Sequence, residues 1–419
     1  MKILVAHPAQ QHSYRLATAL KKAGLLDKYI TTVYYQKGNL TFWLAKFLRG
    51  KLKIKTQGRQ CPYLDKQDIV QFCEGEGLLK LACMHLPFFK KYYTAVKYHT
   101  ADRFAKKVAA YAIKHRVDAV VTYDDSSPLL FEILKKKAPH IVRILDMSSA
   151  AIPYLHTLCE KDCQLAPNFA QRLRRERASF WDTTVLNRSQ REIKASQYFL
   201  VPSQFVAHSL QQSGATKKQF LWCPYGVDVS QFQLKPYSVP ARPLQFVYVG
   251  GMKELKGIYY LMEAFKRLGK QKAQLTIVGA VKEQDEDLQP YREQLHFAGP
   301  VLHDKMPALL QQMDVFICPS LAEGLSLSSI EAAACGLALI VTENSGVNDL
   351  LVSGKEGFVI PIQSIDAIVE KINWFIEHPD KIEPMGRAAR KLAEKYTWEA
   401  YYERAGKIIE DVVKNYVPH

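Results

Sequence analysis

The 419-residue sequence has no G-x-G-x-x-G after any apolar run, no C-x-x-C pair, no fixed-period repeat and no low-complexity tract. The missing glycine fingerprint argues against a nicotinamide-dependent oxidoreductase, whose first strand ordinarily runs into that turn. The eight cysteines, at 61, 73, 83, 159, 163, 223, 318 and 335, lack metal-finger spacing, and we read them as reduced structural thiols with no metal site. Long apolar runs are also missing. The opening MKILVA stops at His7-Pro8, too short for a signal-peptide core, and no window reaches the roughly 18 apolar residues of a spanning helix. A cytoplasmic protein is the expectation.

Acidic residues are scarce in the first half. Residues 1–200 hold 34 Lys/Arg against 16 Asp/Glu, while the remainder is nearly balanced at 23 against 25. A polyanion, an anionic membrane face, a phosphorylated acceptor or a merely solubilising surface would each suit that excess. Two basic aromatic stretches in this half, FWLAKFLRGKLKIK at 42–55 and PFFKKYYTAVKYH at 87–99, have the composition of interfacial helices.

What the sequence does contain is a long alternation of short apolar, β-branched runs with amphipathic helical patterns. The runs fall at 3–6, 29–35, 117–123, 141–147 and 198–202, then at 246–250, 275–279, 296–299, 315–319, 338–342 and 358–361. Little internal alternation within a run means burial on both faces, the mark of parallel sheets covered by helices. The pattern predicts an α/β protein with two Rossmann-like, doubly wound domains. The proline-rich 233–244 reads as a linker between a first domain at 1–232 and a second at 245–398, with a last helix at about 399–419 joining the first.

The segment 315–336 concentrates the chemistry. A buried strand ends at Ser320, a polar loop with Gly324 follows, and a helix is predicted from about Ser328. Ligands of open α/β sheets bind beyond the carboxyl ends of the strands, and a helix start offers free N–H groups to phosphate. Glu323 and Glu331 flank that place, as acceptors suited to sugar and ribose hydroxyls. A second reading stands beside it: Ser328-x-x-Glu331 also fits a capping box, with Glu331 closing the helix end.

PSLAEGLSLSSIEAAACG at 319–336 resembles the retaining glycosyltransferases of family 4, with the GT-B fold. Flanking matches are YGVDVSQF at 225–232, VGGMKELKG at 249–257, LTIVG at 275–279, FAGPV at 297–301 and SGKEGFVI at 353–360. The resemblance implies transfer of a sugar from a nucleotide-diphosphate sugar with retention, and no cofactor or metal. It implies that Lys256 neutralises the diphosphate, assisted by backbone amides around Gly324, Leu325 and Ser326. Glu323 would hold the donor sugar, Glu331 the ribose, and residues around Gly279 and Val301 the base.

The sequence departs from the family at Gly251, where an arginine is usual, leaving Lys253 as the nearest replacement. It departs again in the first turn, HPAQQHSYR, which has no glycine. There Gln10, Gln11, His12 and Ser13 become acceptor-side candidates. Asp124 and Asp125 follow another predicted strand, Asp124 as a candidate catalytic group, with turn formation and helix capping as their alternative role. Asp146 and His7 are weaker candidates of the same kind. The expected partners are a nucleotide sugar, a lipid-linked or glycan acceptor and an anionic membrane surface, the last making the protein peripheral at the cytoplasmic face. A nucleic acid would suit the basic half, but not a donor motif in a half of net charge −2. Two alternatives stay open: a non-catalytic nucleotide-sugar-binding subunit, and a soluble transferase with a small-molecule acceptor.

Overall fold

In the computed structural model, residues 1–417 are described except 11, 217–218, 238–242, 270, 282–285 and 293–294. The first sheet comprises β1 (Ile3–His7), β2 (Leu26–Thr31), β3 (Ile69–Gln71), β4 (Ala119–Tyr123), β5 (Val142–Asp146), β6 (Tyr198–Val201) and β7 (Phe220–Trp222). The second comprises β8 (Leu244–Val249), β9 (Ala273–Val278), β10 (His296–Gly299), β11 (Val315–Cys318), β12 (Ala338–Thr342) and β13 (Gly357–Ile360). Every pairing is parallel. The central strands are buried along their whole length, as in ILVAH, AVVTY and ALIVT, which is why they show no alternation. Two strands escaped the pattern, β3 and β7. Both are three-residue edge strands, too short to leave a periodic signal.

The strand orders are β3-β2-β1-β4-β5-β6-β7 and β10-β9-β8-β11-β12-β13. Each sheet therefore reverses its winding once, between β1 and β4 and between β8 and β11. The loops leaving the carboxyl ends on either side of such a reversal diverge and open a crevice for ligand.

The chain after β7 leaves the first sheet and adheres to the second domain before entering β8. The Lys235 ammonium donates to the Met313 carbonyl, and the Tyr237 hydroxyl donates to Gly336 O at 2.8 Å. The last helix, Trp398–Lys414, returns to the first domain and lies on the helix Ser13–Lys22. Its buried Tyr401, Tyr402, Ala405 and Ile409 form the apolar stripe that fixes it. Arg15 donates to the Tyr402 hydroxyl at 2.6 Å, and Lys22 pairs with Glu399 at 2.5 Å.

The domains are in direct contact. Asp162 accepts hydrogen bonds from Tyr260 and Gln363, at 2.7 and 2.8 Å, and Asp349 accepts from the Gln204 amide at 2.5 Å.

Candidate active site

The second-domain half of the site is built by the two loops that diverge at the β8/β11 reversal. After β8 the chain makes a short 3₁₀ turn, Glu254–Lys256, and reverses at Gly257 with φ +71°. A side chain there would be strained by that φ and its Cβ would overlap the Pro319 carbonyl oxygen. The glycine thus lets the turn press against the loop after β11, and Leu321 N–H donates to Leu255 O at 3.0 Å across the join. The Lys256 ammonium is thereby brought onto the Glu323 carboxylate as an ion pair. Burial lowers the Lys256 pKa, and the cations Arg177 and Lys253 lower it further. Poorly solvated and crowded by like charge, the lysine is suited to a polyanionic ligand.

Glu331 lies one helical turn along. The helix runs Leu327–Ala334, and its N-cap is Ser326, whose hydroxyl accepts from Ser329 N–H at 3.3 Å. The capping box centred on Ser328 is thus not the one formed. Glu331 instead faces His303, at 3.0 Å, in the loop after β10. Burial raises the Glu331 pKa, and His303 opposes the rise. Ser326 is committed elsewhere, since its N–H donates to Ser345 O at 3.0 Å while its hydroxyl caps the helix. Among the described residues, the amides of Gly324 and Leu325 have no protein partner. Gly279 packs on the Gly250 carbonyl, and Val301 is half-buried beyond β10.

The first-domain half mirrors this arrangement at β1/β4. His12, at the start of the helix after β1, lies 3.2 Å from both Asp146 Oδ2 and the Tyr225 hydroxyl. Burial works against the imidazolium, but the Asp146 carboxylate outweighs it, and the His12 pKa stands above its ordinary value. His7 is buried and pushed down to about 3, a neutral ring whose Nδ1 accepts from Ala9 N–H at 2.8 Å. Ser13 is buried, its hydroxyl engaged with Gln10 O and the Tyr29 hydroxyl, and so belongs to the core. The Gln10 side chain turns toward Gly58 O at 3.4 Å. Gln11 lies outside the described residues.

Asp125 adopts φ +69° and pairs with Lys97. Its turn is held by the buried Glu192, which accepts from the amides of Asp125 and Ser127 at 2.9 and 2.7 Å. The following helix, Pro128–Lys137, has no side-chain cap of its own, so the capping role considered for this segment falls to Glu192. Asp124 is half-buried, and its enclosed Oδ1 has no partner among the described residues. Burial, reinforced by Asp125 and Asp146, pushes its pKa up to about 6.

That shift has a testable sign. Between the ordinary carboxylate value and about 6, the folded chain holds the Asp124 proton more tightly than the unfolded chain. Stability from this group is therefore present at low pH and declines as pH rises toward 6. Asp124→Asn should match wild type near pH 4 and exceed it by about 2 kcal/mol at pH 8, read from urea midpoints at both values. Equal midpoints at pH 8 would contradict the buried-carboxylate account.

Several site residues are invisible to local pattern. His303 meets Glu331, Glu192 holds the Asp124 loop, and Tyr225 meets His12 across long sequence separations. Tyr225 alone lay inside a matching segment, YGVDVSQF.

Two Rossmann-like, all-parallel domains in contact give the GT-B fold. Solved structures agree on the fold across nearly the whole chain. The sucrose-phosphate synthase of Thermosynechococcus elongatus superposes with a TM-score of 0.66 at 18% identity, covering 99% of this chain and 100% of its own. Anabaena HepE, solved in complex with UDP, gives 0.61 at 14% identity, covering 98% and 100%. Residues 230–392 match the family described as glycosyl transferases group 1. The colanic acid biosynthesis protein WcaL of Escherichia coli is 26% identical over 220 residues, 49% of this chain and 54% of WcaL. CapM of Staphylococcus aureus, a capsular polysaccharide biosynthesis glycosyltransferase, is 28% identical over 174 residues, 40% of this chain and 46% of CapM. The chain spans about half the length of these curated relatives.

Proposed function

We propose that the chain is a retaining glycosyltransferase that moves a sugar from a nucleotide diphosphate to a glycan or lipid-linked acceptor of a surface polysaccharide. The observation that carries this reading is the Lys256–Glu323 pair beside Glu331 at the β8/β11 reversal. The names of WcaL and CapM support the polysaccharide setting, and the UDP complex of HepE supports a nucleotide-diphosphate donor.

On this reading the donor diphosphate takes its place on the Lys256 ammonium and the Gly324 and Leu325 amides. Glu323 turns to the sugar hydroxyls, and Glu331 holds the ribose. The bond between the anomeric carbon and the phosphate oxygen breaks as the acceptor oxygen bonds to the same face of that carbon. The acceptor proton passes to the departing phosphate. Lys256 stabilises the charge that collects there, as a fixed cation in a site shielded from water. Protein side chains would then supply the positive charge, with no metal required. Asp124, its pKa pushed up to about 6, is the first-domain group best suited to orient the acceptor hydroxyl. A thermal-shift screen of nucleotide sugars tests the reading, and it fails if none stabilises the wild type.

The acceptor side carries its own electrostatic argument. The Lys80 ammonium reaches Pro8 O at 2.8 Å, and burial together with Arg59 and Lys97 pushes its pKa down to about 8. Lys80 thus has two further cations, Arg59 and Lys97, near it and one carboxylate, Asp125, to oppose them, a balance that favours an anionic acceptor such as a lipid-linked phosphate. Lys80 stands on the helix Glu74–His85, and both basic aromatic segments pack on that helix. They expose Trp43, Phe47, Ile54 and Phe88, at 53, 81, 70 and 78%. No helix among the described residues is long and apolar enough to cross a membrane. Aromatic groups in the interface with lysines at the headgroups would instead hold the first domain on an anionic surface. The protein should float with phosphatidylglycerol-containing liposomes, and Phe47→Ser/Phe88→Ser should weaken this about tenfold or more. Equal flotation with neutral and anionic liposomes, or by the double variant, would remove the claim.

A further inference from the structure

Glu331 is held from a second direction besides its own helix. The chain that leaves β7 turns at Asp228, whose carboxylate accepts from the Ser230 amide and hydroxyl at 3.0 and 2.6 Å. The Asp228 carbonyl accepts from the amides of Gln231 and Phe232 at 3.2 and 3.1 Å. This turn sets Gln231 and Phe232 against the second domain. Arg390 fixes it there, donating to Phe232 O at 2.6 Å and to Ala334 O, at the end of the Glu331 helix, at 2.7 Å.

Gln231 and Phe232 close on His303. The Gln231 carboxamide nitrogen lies 3.2 Å from His303 Nδ1, and the Phe232 ring stands edge-on to the imidazole at 5.3 Å. On its other side, His303 Nε2 lies 3.0 Å from Glu331 Oε1. The His303 side chain is 63% exposed, so these contacts rather than enclosure set its orientation. The two ends of the chain also fix the proton on the ring. A carboxamide nitrogen only donates, so His303 Nδ1 accepts. A neutral imidazole then carries its proton on Nε2, where it donates to the Glu331 carboxylate. Gln231 thus selects the tautomer that Glu331 needs.

We propose that Gln231 and His303 are positioning residues for the donor ribose, and that through Glu331 they make the site selective for ribonucleotides over nucleotides lacking the ribose hydroxyls. The inference rests on the reading of Glu331 as the ribose acceptor. Two vicinal hydroxyls bind a carboxylate best when its plane is fixed toward them. The His303 N–H occupies one lone pair of Oε1 and fixes that plane, leaving Oε2 and the second lone pair of Oε1 for the ligand. Released from His303, Glu331 gains rotamer freedom that ribose binding must then remove. Lys256 and Glu323 are carried by the loops after β8 and β11, whereas His303 stands in the loop after β10, so the diphosphate grip is left intact.

The test titrates UDP, GDP and ADP, and their dideoxy analogues lacking both ribose hydroxyls, calorimetrically into the full-length wild type, Gln231→Ala, His303→Ala and His303→Gln. For the nucleotide that binds, the wild type should prefer the ribose form about tenfold or more. Gln231→Ala and His303→Ala should each cut that preference about threefold to tenfold and leave affinity for the dideoxy form unchanged. His303→Gln, whose carboxamide offers an acceptor and a donor on one group, should keep most of the preference. An unchanged preference in both alanine variants would overturn the proposal and leave the ribose reading of Glu331 standing. Equal weakening of the ribose and dideoxy forms would mean a structural role and overturn it as well. A wild type indifferent to the ribose hydroxyls would remove the reading of Glu331 itself, and the proposal with it. If none of the diphosphates binds the wild type, the donor site falls.

Discussion

Replacing Lys256 by alanine should lower turnover by about 10²–10³-fold, the usual effect of deleting one preorganised group at a developing anion. The effect should appear in kcat at saturating donor as well as in kcat/KM. On the proposed reading, the charge facing Lys256 would be greatest as the nucleoside diphosphate departs, so its removal should cost the transition state more than the ground state. Folding should not suffer. Lys256 is partly desolvated and crowded by like charge from Arg177 and Lys253, so its removal relieves repulsion. Its partner Glu323 remains partly exposed, at 20%, and can rehydrate. A thermal midpoint at or above that of wild type together with lost turnover is the expected pair. A variant with wild-type kcat would show that the ammonium does not act on the leaving group.

Gly324→Ala should act through closure. Gly324 packs on the first-domain loop after β5 so tightly that a Cβ would overlap the Ser148 carbonyl oxygen. Neither side of that contact is a flexible side-chain end. Relief must come from separating the loops, and overpacking of this kind costs about 1–3 kcal/mol. The clash exists only where the two domains meet, so the cost falls on the closed arrangement. A closed population reduced about tenfold or more should lower kcat accordingly. Nucleoside monophosphate binding to the second domain should change far less. Small-angle scattering should show a larger radius of gyration than wild type. Wild-type turnover and scattering in this variant would mean that the Gly324–Ser148 contact is not part of the working geometry.

Much of this site was legible in the sequence because its parts are local. The glutamates at 323 and 331 share one loop and helix, Lys256 and Gly257 share one turn, and each follows a strand whose unbroken apolar run marks it as central. The capping-box alternative for Glu331 failed for an equally local reason: the helix begins at Leu327, so Ser326 takes the cap and leaves Glu331 to His303. The second strand was expected at 29–35 but runs Leu26–Thr31, because the charged Asp27 and Lys28 near its open end interrupt the apolar signal. What could not be read were the contacts created by topology. Glu192 meets the Asp124 loop only because their elements share the first domain's core, and Arg172 meets Met252 only because the domains touch. The basic excess of the first half was visible, yet its division into an interdomain clamp at Arg172, a cluster around Lys80 and an exposed aromatic face arises only from the tertiary fold.

The central claim is that Glu323 and Lys256 form the sugar and diphosphate ends of one donor site. Its most direct test is the affinity of a nucleotide sugar, compared with that of its own nucleoside diphosphate, in wild type, Glu323→Ala and Lys256→Ala. Glu323→Ala should erase the extra affinity contributed by the sugar and leave diphosphate binding nearly intact, whereas Lys256→Ala should weaken both together. If the two variants bind nucleotide sugar and nucleoside diphosphate as the wild type does, the pair is an ordinary ion pair and the donor lies elsewhere.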